Sequence, residues 1–263
     1  MKAFQLKSLI AAAIAVTLSA CEKKSEDIPS LSEKTVNATS EVVYPLIGTE
    51  IPNNILPQKK LPRAVLTKGY LFPKLKVKLI DTVCSEYIQA TTKLNFSNLK
   101  EGAFVNKFGN SEFKITADHE FNSSGFARLS NGPKGWWTHW NYSPYTESEY
   151  PEVLFARNRY GGEVRGVNSM TLVFDKPVTM FGFEIAPNLT GKDYIVNVEY
   201  LESSTYRAQT LFNVEQTISS PSGARLIAVK SETPLTFLMI NIQGMTFQEA
   251  GFAIANIRYA IAK

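Results

Sequence analysis

The residues best suited to recognition chemistry in this chain are aromatic and lie close together. The segment at 135–145 reads GWWTHWNYSPY and contains all three tryptophans of the chain. Indole and phenol rings offer wide apolar faces with a polar N–H or O–H at one edge, so they can stack on a flat ligand or fill a core. The candidate ligand-binding residues in this segment are Trp136, Trp137, His139, Trp140, Tyr142 and Tyr145.

Two interpretations of this aromatic segment stay open at the level of sequence. It is flanked by breaker-rich stretches, SNGPKG at 130–135 and TESEYPE at 146–152, which predict a long connection between two strands. Long connections in compact domains tend to be functional or to pack their own side chains. In an extended backbone, Trp136 and Trp140 would project to one side and Trp137 to the other. The rings are therefore either a platform for a ligand or a plug over a hydrophobic core.

A second group of candidate ligand contacts follows in the sequence ARNRYGGE. Arg157, Arg159 and Tyr160 would add hydrogen-bond donors beside the aromatic rings. Loops around 136–145 and 157–162 would then bind a carbohydrate or another surface polymer. The alternative is a structural protein without a small ligand, in which these side chains serve the core.

Motifs for catalysis are absent from the sequence. It has no Gly-x-Ser-x-Gly elbow, no His-Glu-x-x-His and no glycine-rich phosphate cradle. His119 and His139 are its only histidines, which excludes a multi-histidine metal site. Three acids, Glu147, Glu149 and Glu152, could in principle pair as glycosidase carboxyls, but acids in such a loop are typical of a solvated surface. The prediction is that the protein is not an enzyme, with an undetected glycan or ester hydrolase as the third alternative.

Strand patterns dominate the sequence from about residue 74 to the end. In YIVNVEYL one parity is apolar and the other mostly polar, as a half-buried strand requires. Breakers such as Asp175-Lys176-Pro177 are expected to connect strands, and no segment after residue 90 predicts an amphipathic helix. The pattern predicts an all-β fold of two antiparallel sheets packed face to face. The predicted strands are LKVKLID, KLNFS, EFKITA, EVLFA, SMTLVFD, TMFGFEIA, YIVNVEYL, QTLFNV, RLIAVK, LTFLMINI and FAIANIRYAIA.

The amino terminus predicts export. Lys2 and Lys7 precede an apolar stretch at 9–18 that is too short to span a bilayer, which is typical of a signal peptide over residues 1–20. The sequence Leu-Ser-Ala-Cys at 18–21 resembles the lipobox of bacterial lipoproteins. That resemblance implies cleavage before Cys21 and attachment of acyl chains to it, so the predicted membrane contact is a lipid anchor at Cys21.

The stretch after the cysteine has the composition of a tether. Residues 22–41 are charged and rich in Ser and Thr, and 42–62 contain four prolines, so we predict a flexible or extended segment over 21–62 and the β-sandwich domain over 63–263. Glu22 follows the cysteine where an aspartate would resemble the inner-membrane retention pattern. The predicted location is therefore the bacterial cell envelope, at the outer membrane, with the periplasmic or surface face left open.

The net charge and the cysteine count bear on whether the protein binds nucleic acid and whether it forms a disulfide. The net charge is +4, and the predicted signal peptide contributes two lysines and no acid, so the mature chain is nearly neutral. That balance predicts no nucleic-acid partner. KLKVK at 74–78 is the one local basic cluster and is expected on a solvated strand face. With Cys21 acylated, Cys84 has no disulfide partner, and a lone thiol is expected to be a small buried hydrophobic group.

Several strand-and-turn phrases resemble a domain common in bacterial exported proteins. They are MTLVFDKPVTMFGFEIAPN, ARLIAVKSETPLTFLMINIQG and GFAIANIRYA, preceded by TTKLNFSNLKEGAFVNKFGNSEFKITA. The resemblance covers about residues 90–263 and implies a jelly-roll-like sandwich. Similar sandwiches often bind carbohydrate or serve adhesion, and some hold a structural calcium.

The sequence departs from that pattern at a position relevant to calcium. Where the resemblance expects an Asp-Asn pair, the chain has Ala255 followed by Asn256. Glu184 retains the acid of the Phe-Gly-Phe strand, but one carboxylate is too few for an ion that takes six to eight oxygen ligands. We therefore expect no cofactor.

Overall fold

The computed structural model of the protein describes residues 63–118, 124–130, 140, 145–160, 163–187, 193–203, 208–219, 223–245 and 251–263. The predicted signal peptide, Cys21 and the tether up to residue 62 lie outside the described residues. At residues 118, 158–160 and 163–165 the structure describes the backbone alone.

The described residues are mostly antiparallel β-strand with one short helix, so the all-β prediction is confirmed. Turn signals separate most of the strands. The helix α1 spans Ser85–Ala90. The strands are β1 Val65–Lys68, β2 Val77–Ile80, β3 Thr92–Lys93, β4 Phe104–Val105, β5 Lys107–Gly109, β6 Lys114–Asp118, β7 Ser124–Leu129, β8 Val153–Tyr160, β9 Glu163–Gly166, β10 Ser169–Pro187, β11 Asp193–Leu201, β12 Thr210–Ser219, β13 Arg225–Gln243 and β14 Phe252–Ile261.

The strands form a continuous hydrogen-bonded path in the order β1-β12-β11-β13-β10-β14-β8-β7-β4. Off this path, β2 pairs with β13, β3 with β14, β9 with β8, and β6 with both β5 and β10. The long strands β10 and β13 pair with each other from Ser169↔Asn241 to Ile185↔Arg225. They are the centre on which the other strands assemble.

The breaker at Asp175-Lys176-Pro177 does not separate two strands, contrary to expectation. SMTLVFD and TMFGFEIA are the two halves of β10, and RLIAVK and LTFLMINI are the two halves of β13. The pairing is irregular between Val173 and Met180. Since Pro177 lacks an N–H, it interrupts the ladder there, and the strand continues through a bulge instead of turning back.

The alternation of apolar and polar residues in β11 correctly predicts which face of this strand is buried in the main core. Its residues Tyr194, Val196, Val198 and Tyr200 are buried, while the intervening residues are half-buried. The main core gathers buried side chains from most strands of the path. The second half of β10 differs because both of its faces are covered.

On β10, Phe181, Phe183 and Ile185 point into the main core, whereas Met180 and Ala186 belong to two smaller apolar clusters. Helix α1 covers part of this second face through the buried Tyr87, which packs with Met180, Leu226 and Ala228. Helix α1 has only six residues. Among the described residues, no helix is long and apolar enough to cross a membrane.

Cys84 is exposed, which corrects the expectation of a buried thiol. It immediately precedes α1, and its carbonyl accepts a hydrogen bond from the Ile88 amide at 3.1 Å. The helix contacts the sheet through Tyr87, so the residue at its start is left on the solvent side.

Candidate functional site

The most unusual group in the described residues is the carboxylate of Glu184, which is fully buried. It lies on the second face of β10, in register with Ala255 of β14. Three donors surround it. Trp140 donates from Nε1 to Oε2 at 2.7 Å, Asn256 donates from Nδ2 to Oε2 at 2.8 Å, and the Glu147 amide donates to Oε1 at 2.5 Å. A buried charge is tolerated only with such hydrogen bonds.

Asn256 adopts a backbone conformation that few side chains tolerate. Its φ is +46°, in the left-handed region where asparagine is several-fold enriched. Its side-chain amide also donates to Ser148 Oγ at 3.3 Å. One residue of β14 thus contacts both the buried carboxylate of β10 and the connection that carries the aromatic segment.

Glu147 is held by a second, charged contact. Arg258 donates to both of its carboxylate oxygens, from Nε at 2.5 Å and from Nη2 at 3.1 Å, and Lys93 Nζ lies 3.4 Å from Oε2. Two-point contacts of this kind are the strong form of an arginine–carboxylate pair. Arg258 also donates to the carbonyls of Ile88 and Thr91, so the same guanidinium joins the end of α1 to this connection. We call Trp140, Glu147, Glu184, Asn256 and Arg258 the Glu184 cluster.

Burial raises the pKa of Glu184 to about 7. Hydrogen bonds from Trp140, the Glu147 amide and Asn256 act in the opposite direction, and the charge of Glu147 adds to the rise. The carboxyl group of Glu184 therefore titrates near neutral pH, in a place where all its partners are donors. Burial also raises the pKa of the Tyr87 hydroxyl well above its usual value.

A second buried charge lies nearby at the start of β13. The Arg225 guanidinium is stacked over the Tyr145 ring at 3.8 Å, and the Leu226 amide donates to the Tyr145 carbonyl at 2.9 Å. Burial lowers the pKa of Arg225. In the described part of the chain, its Nε and Nη2 have no hydrogen-bond partner. That edge of a guanidinium is the one that commonly binds a carboxylate or phosphate at two points.

The residues predicted from the aromatic segment separate into two groups. Trp140 is only 2% exposed and packs with Leu129, Val153 and Phe155, while Tyr145 is half-buried against Arg225. The indole of Trp140 is thus a core group in this structure. Four of the predicted residues lie outside the described residues, namely Trp136, Trp137, His139 and Tyr142.

The second predicted group lies on β8. Arg157 donates from Nη2 to the Gly102 carbonyl at 2.7 Å, and its guanidinium lies 5.9 Å from the Phe104 ring centroid. Arg159 and Tyr160 continue the strand opposite Val164 and Glu163, and their side chains lie outside what the structure describes. These contacts connect Arg157 with β4 and its preceding turn.

Two of the three acids considered as hydrolytic pairs form ion pairs with arginines. Glu147 pairs with Arg258, and Glu152 pairs with Arg128. Glu149 is exposed, and His119 lies outside the described residues. Within the described ranges, no three His, Cys, Asp or Glu side chains lie together as a metal site would require.

Sequence reasoning missed the partners of Glu184. The sequence indicates Glu184 only as a single possible calcium ligand, whereas its donors Trp140 and Asn256 lie 44 and 72 residues away. One signal was present, because a single acid among apolar residues in MFGFEIA on a buried strand needs a polar partner. Nothing in the sequence identified that partner.

Scanned against protein-family models and searched against curated proteins, the chain matches no family and no curated protein. The resemblance to exported sandwich domains therefore stays a prediction.

Proposed function

We propose that this protein is a lipid-anchored protein of a bacterial cell envelope whose jelly-roll-like β-sandwich binds a carbohydrate or another surface polymer. The anchor is supported by the lipobox-like residues ending at Cys21 and by the tether composition that follows. Glu22 supports location at the outer membrane.

The arrangement in two packed sheets is supported by the main core. Val214 and Val198 come from one end of the hydrogen-bonded path, and Phe126 and Leu154 come from the other, yet all four belong to a single apolar cluster. An apolar cluster shared by strands that lie far apart on the path supports the proposed arrangement in two packed layers.

The observation that carries the binding proposal is the attachment of the connection between β7 and β8. Its residues Trp140 and Glu147 are held to β10 and β14 by hydrogen bonds and an ion pair. Fixed attachments of this kind reduce the ordering cost of binding by neighbouring residues. The ligand contacts assigned to Trp136, Trp137, His139 and Tyr142 come from the sequence.

A fluorescence titration tests the proposal. The mature chain is titrated with a panel of neutral and acidic oligosaccharides while tryptophan emission is recorded. We expect saturable quenching of the tryptophan emission. Trp137→Ala should abolish this quenching without changing the free energy of unfolding. Tyr150→Ala, at an exposed tyrosine outside the segment, should quench like the parent. If no member of the panel gives saturable quenching, the carbohydrate proposal is wrong.

The second candidate is a structural envelope lipoprotein without a small ligand. It is favoured by the internal use of Trp140, Tyr145 and Arg157, three of the predicted ligand contacts. Under this function Trp137→Ala lowers the stability of the fold and no oligosaccharide binds. The titration and the unfolding curves therefore separate the two candidates.

The anchor has its own test. Metabolic labelling with a fatty-acid probe is expected to mark the protein in bacterial cells and to fail for Cys21→Ser. Equal labelling of both proteins, or of neither, contradicts the anchor. The proposal contains no catalytic step, so turnover of a glycoside or ester by the purified chain contradicts the binding-protein assignment.

A further inference from the structure

Exposed apolar side chains are concentrated in one short stretch near the start of the domain. Of four large hydrophobic residues exposed in the described part of the chain, three lie within seven positions: Val65 at 56%, Tyr70 at 96% and Leu71 at 60% exposure. Single exposed apolar residues are ordinary, whereas large exposed apolar areas mark interaction surfaces, so this concentration in one short stretch points to one.

The exposure of Tyr70 and Leu71 is imposed by a well-anchored turn. The Gly69 amide donates to the Leu211 carbonyl at 2.8 Å, and the Phe72 amide donates back to Gly69 at 3.0 Å. A side chain at position 69 would collide with the Thr210 carbonyl, so the backbone packs directly on β12 there. Phe72 and Leu75 pack against the main core. The turn therefore packs Phe72 against the core and presents the side chains of Tyr70 and Leu71 to solvent.

The same stretch is strongly basic. Residues 63–80 contain five basic side chains and no acid. Lys76 and Lys78 have exposed acidic partners, Glu232 and Glu86. The remaining three are exposed, and among the described residues they have no ion-pair partner: Arg63, Lys68 and Lys74. One acid, Glu215, lies opposite Val65 on β12.

We propose that this surface, formed by Val65, Tyr70 and Leu71 with Arg63, Lys68 and Lys74, docks on an anionic lipid bilayer. Tyrosine and leucine suit the boundary between head groups and acyl chains, and lysine and arginine are attracted to anionic head groups. The surface begins where the predicted tether ends. Its position near the bilayer rests on the proposed anchor, and a tether keeps the local concentration of membrane high.

A second copy of the chain is the competing occupant. Strand β1 pairs only with β12 among the described strands, so its other edge could accept a strand. That edge has four residues and ends in Lys68, and short edges bearing lysine disfavour pairing with another chain. Charge and exposed aromatic character together favour the lipid surface.

Vesicle cosedimentation tests the docking surface apart from the anchor. The mature chain carrying Cys21→Ser, which cannot be acylated, is mixed with vesicles of phosphatidylcholine alone or with phosphatidylglycerol added. We expect binding to the anionic vesicles only, weakened by added salt. We expect at least tenfold weaker binding for Tyr70→Ser/Leu71→Ser and for Lys68→Gln/Lys74→Gln. Tyr150→Ser, at an exposed tyrosine outside the surface, is expected to bind like the parent, and circular dichroism checks that each variant is folded.

Equal binding of the parent and the double variants, or no binding to either vesicle, would overturn the inference. Concentration-dependent dimerisation that the Tyr70→Ser/Leu71→Ser change abolishes would assign the surface to a second copy instead. Fatty-acid labelling at Cys21 is an independent readout. Labelling without vesicle binding refutes the docking surface alone, whereas vesicle binding without labelling refutes the anchor alone.

Discussion

At the scale of single residues, Glu184 determines how the aromatic connection is attached. A carboxylate on a covered strand face must find donors or lose its charge. Here the donors come from the indole of Trp140, the amide of Glu147 and the side chain of Asn256. The requirement of one buried group therefore fixes the position of two residues in the connection.

Replacing Trp140 by phenylalanine tests this attachment. The substitution keeps most of the apolar contact but removes the N–H that donates to Glu184. Above about pH 7, where Glu184 is charged, a lost hydrogen bond to this group costs about 1.5–3 kcal/mol. We expect the free energy of unfolding, measured in denaturant, to fall by about that amount. Tyr150→Phe is the control, since Tyr150 is exposed, and it should change stability by less than about 0.5 kcal/mol. Equal stabilities of the two variants would show that the contact has no role in stability.

The titration of Glu184 predicts a pH dependence of stability. Its pKa is about 7 in the fold against an ordinary 4.5, so the folded state holds the proton more strongly than the unfolded state. The stability that protonation contributes is present below about pH 4.5 and is lost as pH rises to about 7, by at most about 3 kcal/mol. Glu184→Gln should remove this slope.

Other charged groups lie close by, so the control must isolate the contribution of Glu184. The charge of Glu147 adds to the rise in the pKa of Glu184, and Glu184 in turn raises the pKa of Tyr87. Unfolding curves at pH 5, 6 and 7 for the parent and Glu184→Gln give the difference that belongs to Glu184. Parallel curves for the two proteins would show that Glu184 keeps an ordinary pKa.

At the scale of elements, some features follow from the sequence and others do not. The alternation in YIVNVEYL identified the buried face of β11, because one face of that strand meets the core. The turn predicted at Asp175-Lys176-Pro177 was wrong, because a proline interrupts the hydrogen-bond ladder whether the chain turns back or continues through a bulge. The second face of β10 could not be foreseen, since what covers it, α1 and the connection around Trp140, is distant in sequence.

The packing of α1 on the sheet depends on a glycine. A methyl group at Gly182 would approach the Tyr87 hydroxyl and the Ala228 side chain at 2.4 Å each. Gly182→Ala is therefore expected to lower the free energy of unfolding by about 1–3 kcal/mol, the usual cost of overpacking. Adding Tyr87→Phe and Ala228→Gly to the Gly182→Ala protein should recover part of that loss. A double-mutant analysis by denaturant unfolding measures the recovery, and the absence of any loss in Gly182→Ala would contradict the close packing.

The ion pair between the connection and β14 is expected to stabilise the fold. Glu147 and Arg258 are both largely buried, whereas Lys76 and Glu232 form a comparable pair that is exposed. A double-mutant cycle with Glu147→Gln and Arg258→Met should give a coupling energy of about 1–3 kcal/mol. The matched cycle with Lys76→Met and Glu232→Gln should give about 0–1 kcal/mol. Similar couplings in both cycles would mean that burial does not strengthen the Glu147 pair.

At the scale of the whole molecule, the domain closes its core with strands from both ends of the path. Leu66 of β1 and Val105 of β4, the two ends of the path, both pack against the main core. The first residue that contacts this core in the described chain is Ala64. The domain boundary at residue 63, which composition predicts, stays a prediction.

Deleting the predicted tether should leave this core intact. Removal of residues 22–62 from the mature chain is expected to change the free energy of unfolding by less than about 0.5 kcal/mol, because a charged, proline-containing segment buries little apolar surface. Extending the deletion through Lys68 removes β1, its ladder with β12 and the contact of Leu66 with the core, and should cost about 1–3 kcal/mol. Denaturant unfolding followed by circular dichroism compares the three chains. An equal loss from both deletions would place stabilising contacts within 22–62 and move the domain boundary toward the amino terminus.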